Sequence, residues 1–110
     1  MEGWTDFIAG RAIRPNRVGD SSVESLLLRL DIAAAELAEV ATRIERSDRL
    51  EERRINPTDP NGAEASLGGA IVHALTHSMH HRAKVLYLMR RTGMEELVEG
   101  DVLSWEAERP

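Results

Sequence analysis

All four histidines of this 110-residue chain fall in one nine-residue window, as His73, His77, His80 and His81. Their context is Ile71-Val-His-Ala-Leu-Thr-His-Ser-Met-His-His-Arg82. In a helix, at roughly 100° per residue, the four imidazoles occupy one arc. That arc borders a stripe of Ala70, Ala74, Val85 and Leu88. His77 and His81 are four residues apart, so their rings lie one turn from each other on the same face. This spacing lets two ring nitrogens converge on one divalent ion, and neutral imidazole suits Zn, Ni, Fe and Cu. The competing readings are exposed histidines on a polar flank, or histidines hydrogen-bonded at a helix–helix contact.

One helix cannot complete such a site. His73 and His81 stand ~12 Å apart along the axis at ~1.5 Å per residue. An imidazole nitrogen sits only ~2.1 Å from its metal, so His73, His77 and His81 do not share one ion. A third ligand comes from elsewhere: a carboxylate such as Glu36 or Glu39, water, or a residue of a neighbouring subunit. Arg82 and Lys84 add positive charge beside the pair, or else form a solvated flank or an ion pair with the preceding long helix.

Other chemistries are set aside by what the chain lacks. It has no cysteine, which excludes disulfides, thiolate zinc sites, iron–sulfur clusters and cysteine nucleophiles. His77-Ser-Met-His80 lacks the glutamate that a HExxH metalloprotease uses as its base. No EF-hand, P-loop or dinucleotide-binding glycine pattern occurs, and Gly68-Gly69 reads as close helix packing. The net charge of −5 argues against a nucleic-acid partner, whose phosphates require a basic patch. The most apolar region, Leu26 to Ala41, is interrupted by Arg29, Asp31, Glu36 and Glu39, so no membrane span is expected. The first residues carry no basic start or apolar core of an export signal, which predicts a cytoplasmic protein.

The elements that must position the histidines read as helices. A hydrophobic fraction of 42% with 4% aromatics suits an Ala- and Leu-rich helical core. Trp4 to Ala9 resembles the last turns of a helix stopped by Gly10. A basic connector runs from Arg11 to Asp20. Ser21 and Glu24 form a capping-box pattern, followed by a seam of Leu27, Leu30, Ala34, Leu37, Ala41 and Ile44. This predicts a helix from about 22 to about 53, ended by Asn56-Pro57. Pro57 to Gly62 is a turn-rich loop, and Ser66 caps the next helix, which runs to about Thr92 before Gly93. Glu95 to Trp105 supplies one or two helical turns over the end of the bundle. No strand pattern is evident. Two long antiparallel helices with short terminal segments leave apolar flanks uncovered, a deficit that further helices or a second copy would fill.

Three runs carry a family resemblance: His73-Ala-Leu-Thr-His-Ser-Met-His-His-Arg82, Leu86-Tyr-Leu-Met-Arg-Arg-Thr-Gly93, and Gly100-Asp-Val-Leu-Ser-Trp105. Together they resemble the last helix and tail of the DinB-like (DinB/YfiT-like) metal-binding four-helix bundles. Leu26 to Ile44 is similar to that family's third helix, and Trp4 to Gly10 to the end of its second. The resemblance implies an all-α fold, a partial or dimer-completed four-helix bundle. It implies that residues 1–110 form a single DinB-like domain lacking the family's first helix and most of the second. It implies His77 and His81 as two of three histidine ligands for Zn or Ni, the third lying in the family upstream of the Trp4 segment. It also implies kinship with enzymes that use a small thiol, mycothiol or bacillithiol, in S-transfer or isomerisation. The alternative is a non-catalytic helical module that self-associates as a homodimer with its histidines at the interface. Two chains would then supply His77 and His81 each to a composite site.

Overall fold

A computed structural model describes residues 1–15, 19, 21–98 and 100–110. Residues 16–18 and 20, part of the expected connector, lie outside the described residues. The chain divides into two compact units, Met1–Thr76 and His77–Pro110.

In the first unit, α1 spans Glu2–Ala9 and α2 Val23–Arg46. A hairpin follows, with β1 at Arg53–Ile55 and β2 at Glu64–Ser66, leading into α3, Leu67–Arg91. The core joins Phe7 and Ile8 of α1, Leu37, Val40 and Ile44 of α2, and Leu67, Ala70 and Ala74 of α3. Polar contacts fix the pairing of α1 with α2. Glu2 accepts two hydrogen bonds from Arg29, at 3.0 and 2.7 Å, and Glu36 lies further along α2 beside the Asp6 ion cluster. The order Glu2–Arg29, then Asp6 with Glu36, means that α1 and α2 run in the same direction.

The ends of these helices follow the capping chemistry of the sequence, with one shift. Ser22, not Ser21, is the N-cap of α2, its Oγ accepting from the Ser25 amide at 3.2 Å. Ser66 caps α3 as expected, accepting from the Gly69 amide at 3.0 Å. The Leu67 and Gly68 amides donate to the carbonyls of Glu52 and Leu50, each at 2.8 Å. Three donors that a helix start leaves unpaired thus find acceptors. A Cβ on Gly68 would stand 3.2 Å from the Leu50 carbonyl oxygen, so the close approach here is to the turn after α2, not the helix–helix packing expected.

α2 is shorter than its apolar seam predicts. It stops at Arg46, where Ser47 Oγ donates to the Arg43 carbonyl at 2.6 Å and Asp48 turns left-handed at φ 55°. The chain then enters the hairpin, contrary to the expectation of no strands. Arg53 pairs with Ser66, Arg54 with Ala65 and Ile55 with Glu64. Strands of three residues are too short to carry an alternating pattern. The seam itself is rotated. Ala33, Leu37, Val40 and Ile44 are buried, whereas Leu27, Leu30 and Ala34 are exposed and Ala41 is half-buried. The packing against α1 and the start of α3 selects the face that contains Val40.

The hairpin has a visible task. Arg54 donates to the Phe7 and Ile8 carbonyls at 2.9 and 3.1 Å, satisfying acceptors at the C-terminal end of α1. Its guanidinium is steadied by Glu52, which also accepts from Arg49. Those side-chain hydrogen bonds hold the Glu52 carboxyl down to about 2. Gly10 ends α1 at φ 74°, and a Cβ there would meet the Arg54 guanidinium. Gly10→Ala is therefore expected to destabilise the first unit by ~1–2 kcal/mol, combining left-handed strain with a displaced arginine. Thermal unfolding of the variant checks this; an unchanged midpoint would contradict it.

In the second unit, α3 continues to Arg91 and Gly93 follows at φ 97°, the expected stop. The terminal helix α4 is Val102–Glu108, later than predicted, because Asp101 caps it. Asp101 accepts from the Ser104 amide and hydroxyl, both at 2.9 Å, and these bonds lower its carboxyl below the usual aspartate range. No α4 residue is buried. Among the described residues no helix is long and apolar enough to cross a membrane.

Candidate functional site

The histidine arc of α3 resolves into two arrangements. In the first unit the His73 ring lies against Trp4, with centroids 4.4 Å apart. A cleft of about 520 Å³ opens beside them, lined also by Arg53, Asn56, Thr58 and Ser66. Sequence reasoning treated Trp4 only as a helix residue. Its pairing with His73 spans the gap between the first and third helices, so no local spacing signals it.

In the second unit, His77 and His81 turn their Nε2 atoms toward each other at 2.9 Å. The rings are edge-on, with centroids 4.5 Å apart and planes at 85°. Both are exposed. The His80 ring stands off at 6.1 Å from His81 and 6.5 Å from His77. At 2.9 Å, one imidazole of the metal-free pair must present N–H to the lone pair of the other. The same separation has a second meaning. Two nitrogens at ~2.1 Å from one cation lie ~3 Å apart when they subtend a right angle there, and ~3.4 Å apart at a tetrahedral angle. The donor set is therefore a fit for one edge of a metal coordination sphere, with neutral imidazoles as ligands. Among the described residues, no group of three or more His, Asp or Glu side chains gathers as a metal site.

The other residues singled out from sequence have definite partners. Glu36 accepts from Arg14 at 2.9 Å and from Arg11, and Glu39 accepts from Arg43 at 2.7 Å. Arg82 is exposed, and it has partners within the second unit. Its guanidinium donates to the Gly100 and Val98 carbonyls, at 2.8 and 3.3 Å, and ties the tail to the histidine turn of α3. Replacing Arg82 with Ala should free residues 95–101, seen as at least tenfold faster amide exchange there. Unchanged exchange in that stretch would contradict the tether.

Sequence reasoning also missed Asp6, which is fully buried. It accepts from Arg11 Nε at 2.6 Å and from the Arg14 amide and Nε, each at 2.9 Å. Burial alone raises a carboxyl, but the hydrogen bonds from Arg14 and Arg11 outweigh it and hold Asp6 at about 2. The same arginines hold Glu36 below the usual glutamate range. A carboxylate in an apolar helix turn, followed by two arginines five and eight residues later, was the available signal.

The DinB family model matches residues 2–105, nearly the whole chain. This protein belongs to the DinB family, and its fold is the helical one that family shares. No curated protein and no solved structure matches it.

Proposed function

We propose that this DinB-family chain binds a divalent cation, nickel or zinc, through Nε2 of His77 and Nε2 of His81. We further propose that it is related to the metal-dependent thiol S-transferases, with mycothiol or bacillithiol as the class of cosubstrate. The observation that carries the metal reading is the 2.9 Å approach of the two Nε2 atoms from residues one helical turn apart. Membership of the DinB family supports the thiol reading.

The chain's own residues have three tasks in this account. The turn of α3 between His77 and His81 fixes two donors in advance, so little side-chain freedom is lost on binding. When both Nε2 atoms face a cation, the ring that donates Nε2–H in the pair would carry its proton on Nδ1 instead. Arg82 anchors the tail through the Gly100 carbonyl, limiting how far that segment can move from the histidine turn. A divalent cation held there would favour the thiolate form of a coordinated thiol at neutral pH.

Equilibrium dialysis of the tag-free chain against nickel or zinc, followed by metal analysis, tests the first part. Less than a tenth of an equivalent retained would remove it. For the second part, the metal-loaded chain is mixed with bacillithiol or mycothiol and an electrophile. Thiol consumption above the protein-free rate, lost in His81→Ala, is the expected result. Equal rates with and without the chain would leave metal binding as its whole function.

A further inference from the structure

We infer that the cleft beside Trp4 and His73 is a binding site for a flat aromatic carboxylate, held by the Arg53 guanidinium and the Trp4 indole. The cleft lies wholly in the first unit, and the inference does not rest on metal binding at His77 and His81.

The start of α3 makes room for it. Gly69 and Ala70 line the cleft, and side chains this small leave its depth unfilled. Ala70 is buried in the core, so the floor rests on packed side chains. Trp4 and His73 bring two rings to the lining, and the hairpin region brings Arg53, Asn56 and Glu64. A volume of about 520 Å³ falls within the ~300–1,000 Å³ usual for small-molecule sites.

The lining holds more donors than acceptors. The Thr58 amide and hydroxyl both donate to Asn56 Oδ1, at 3.0 and 2.8 Å. A backbone N–H only donates, which fixes that atom as the oxygen and leaves the Asn56 Nδ2 group unengaged. Arg53 gives one hydrogen bond, from Nη2 to the Glu64 carbonyl at 3.2 Å, and its Nε stands 3.4 Å from the Glu64 carboxylate. Its Nη1 meets no acceptor among the described residues, and neither does Trp4 Nε1. No buried side-chain nitrogen or oxygen among the described residues lacks a partner, so the indole N–H is open to solvent.

Three unengaged N–H groups on one cleft suit a ligand rich in acceptors. A carboxylate matches the guanidinium fork, and hydrogen bonds between charged groups are about twice as strong as neutral ones. An aromatic ring on the same ligand packs edge or face against Trp4. Glu64 does not recruit a cation here, because Arg53 already faces it. The helix start does not recruit a phosphate either. The Leu67, Gly68 and Gly69 amides are taken by the Glu52 carbonyl, the Leu50 carbonyl and Ser66 Oγ, which leaves a single arginine as the charged anchor.

The test keeps the tag-free chain metal-free with a chelator, so its outcome is separate from that of metal binding. 2-Naphthoate is titrated in while nitrogen–proton NMR follows the indole N–H groups of Trp4 and Trp105, the two tryptophans of the chain. The Trp4 signal should shift and saturate while the Trp105 signal stays in place. 2-Naphthamide, the same rings without the charge, should bind more weakly by about fivefold or more. Arg53→Gln should bring naphthoate down to the affinity of the amide and leave the amide's own affinity unchanged. Arg53 is 59% exposed, and an exposed ion pair contributes little to stability, so this variant keeps the fold. No saturable shift at about 10 mM naphthoate, equal movement of both indoles, or equal affinity for acid and amide would overturn the proposal. Parent-like naphthoate binding by Arg53→Gln would overturn it as well.

Discussion

Asp6→Ala should lower the stability of the first unit by ~2–3 kcal/mol, a large part of the ~5–15 kcal/mol that holds a small domain. The aspartate is fully buried and receives three hydrogen bonds from Arg11 and Arg14. Removing it leaves two guanidinium groups facing a cavity, with Glu36 as their remaining carboxylate. Because Arg11 and Arg14 are 47% and 33% exposed, water relieves part of that penalty, which sets the value at the low end for a broken buried pair. The depressed carboxyl gives an independent figure. Its shift from 3.8 to about 2 corresponds to ~2 kcal/mol of stabilisation of the charged form.

That linkage has a definite sign. The folded value lies below the unfolded one, so the contribution is complete above about pH 4 and is lost as pH falls from 3.8 toward 2. The parent chain should therefore lose stability steeply across this window, and Asp6→Ala should lose less. Urea midpoints measured from pH 7 down to pH 2 check both statements. Parallel curves for the two proteins would contradict the role assigned to Asp6.

His81→Ala should reduce nickel or zinc affinity by at least a hundredfold, the largest functional effect expected of any single substitution here. A chelate of two imidazoles becomes a single exposed ligand, and the advantage of pre-set neighbouring donors disappears. His77→Ala should do the same. Neither change disturbs the core, since both side chains are exposed, and thermal unfolding without metal should shift by less than ~0.5 kcal/mol. His73→Ala loses the contact with Trp4 and retains the metal. Equal loss from His73→Ala and His81→Ala, measured by calorimetric titration, would mean that the wrong pair was chosen.

The features legible in the sequence are those set by local spacing. The helical stop at Gly10, the Ser66 cap and the Gly93 terminus depend on residues a few positions apart, and the structure has all three. The four-residue interval from His77 to His81 belongs to the same kind of signal. The hairpin was hidden because each strand is only three residues long and its tie to α1, through Arg54, spans 47 residues of sequence. The rotated seam on α2 was hidden for a related reason. Its apolar residues extend around the helix, and only the positions of α1 and α3 decide whether Ala34 or Val40 is covered. Asp6 required knowledge that the connector folds back, bringing Arg14 to it from eight residues away. The hairpin, the seam and Asp6 were hidden because contacts beyond the local spacing decide them.

Nitrogen NMR of the imidazole rings reports directly on Nε2 of His77 and of His81, on which the proposed metal site depends. Adding zinc to the tag-free, labelled chain should shift Nε2 of His77 and of His81, with His73 and His80 left nearly where they were. Shifts confined to His73 or His80, or no imidazole shift at saturating zinc, would contradict it.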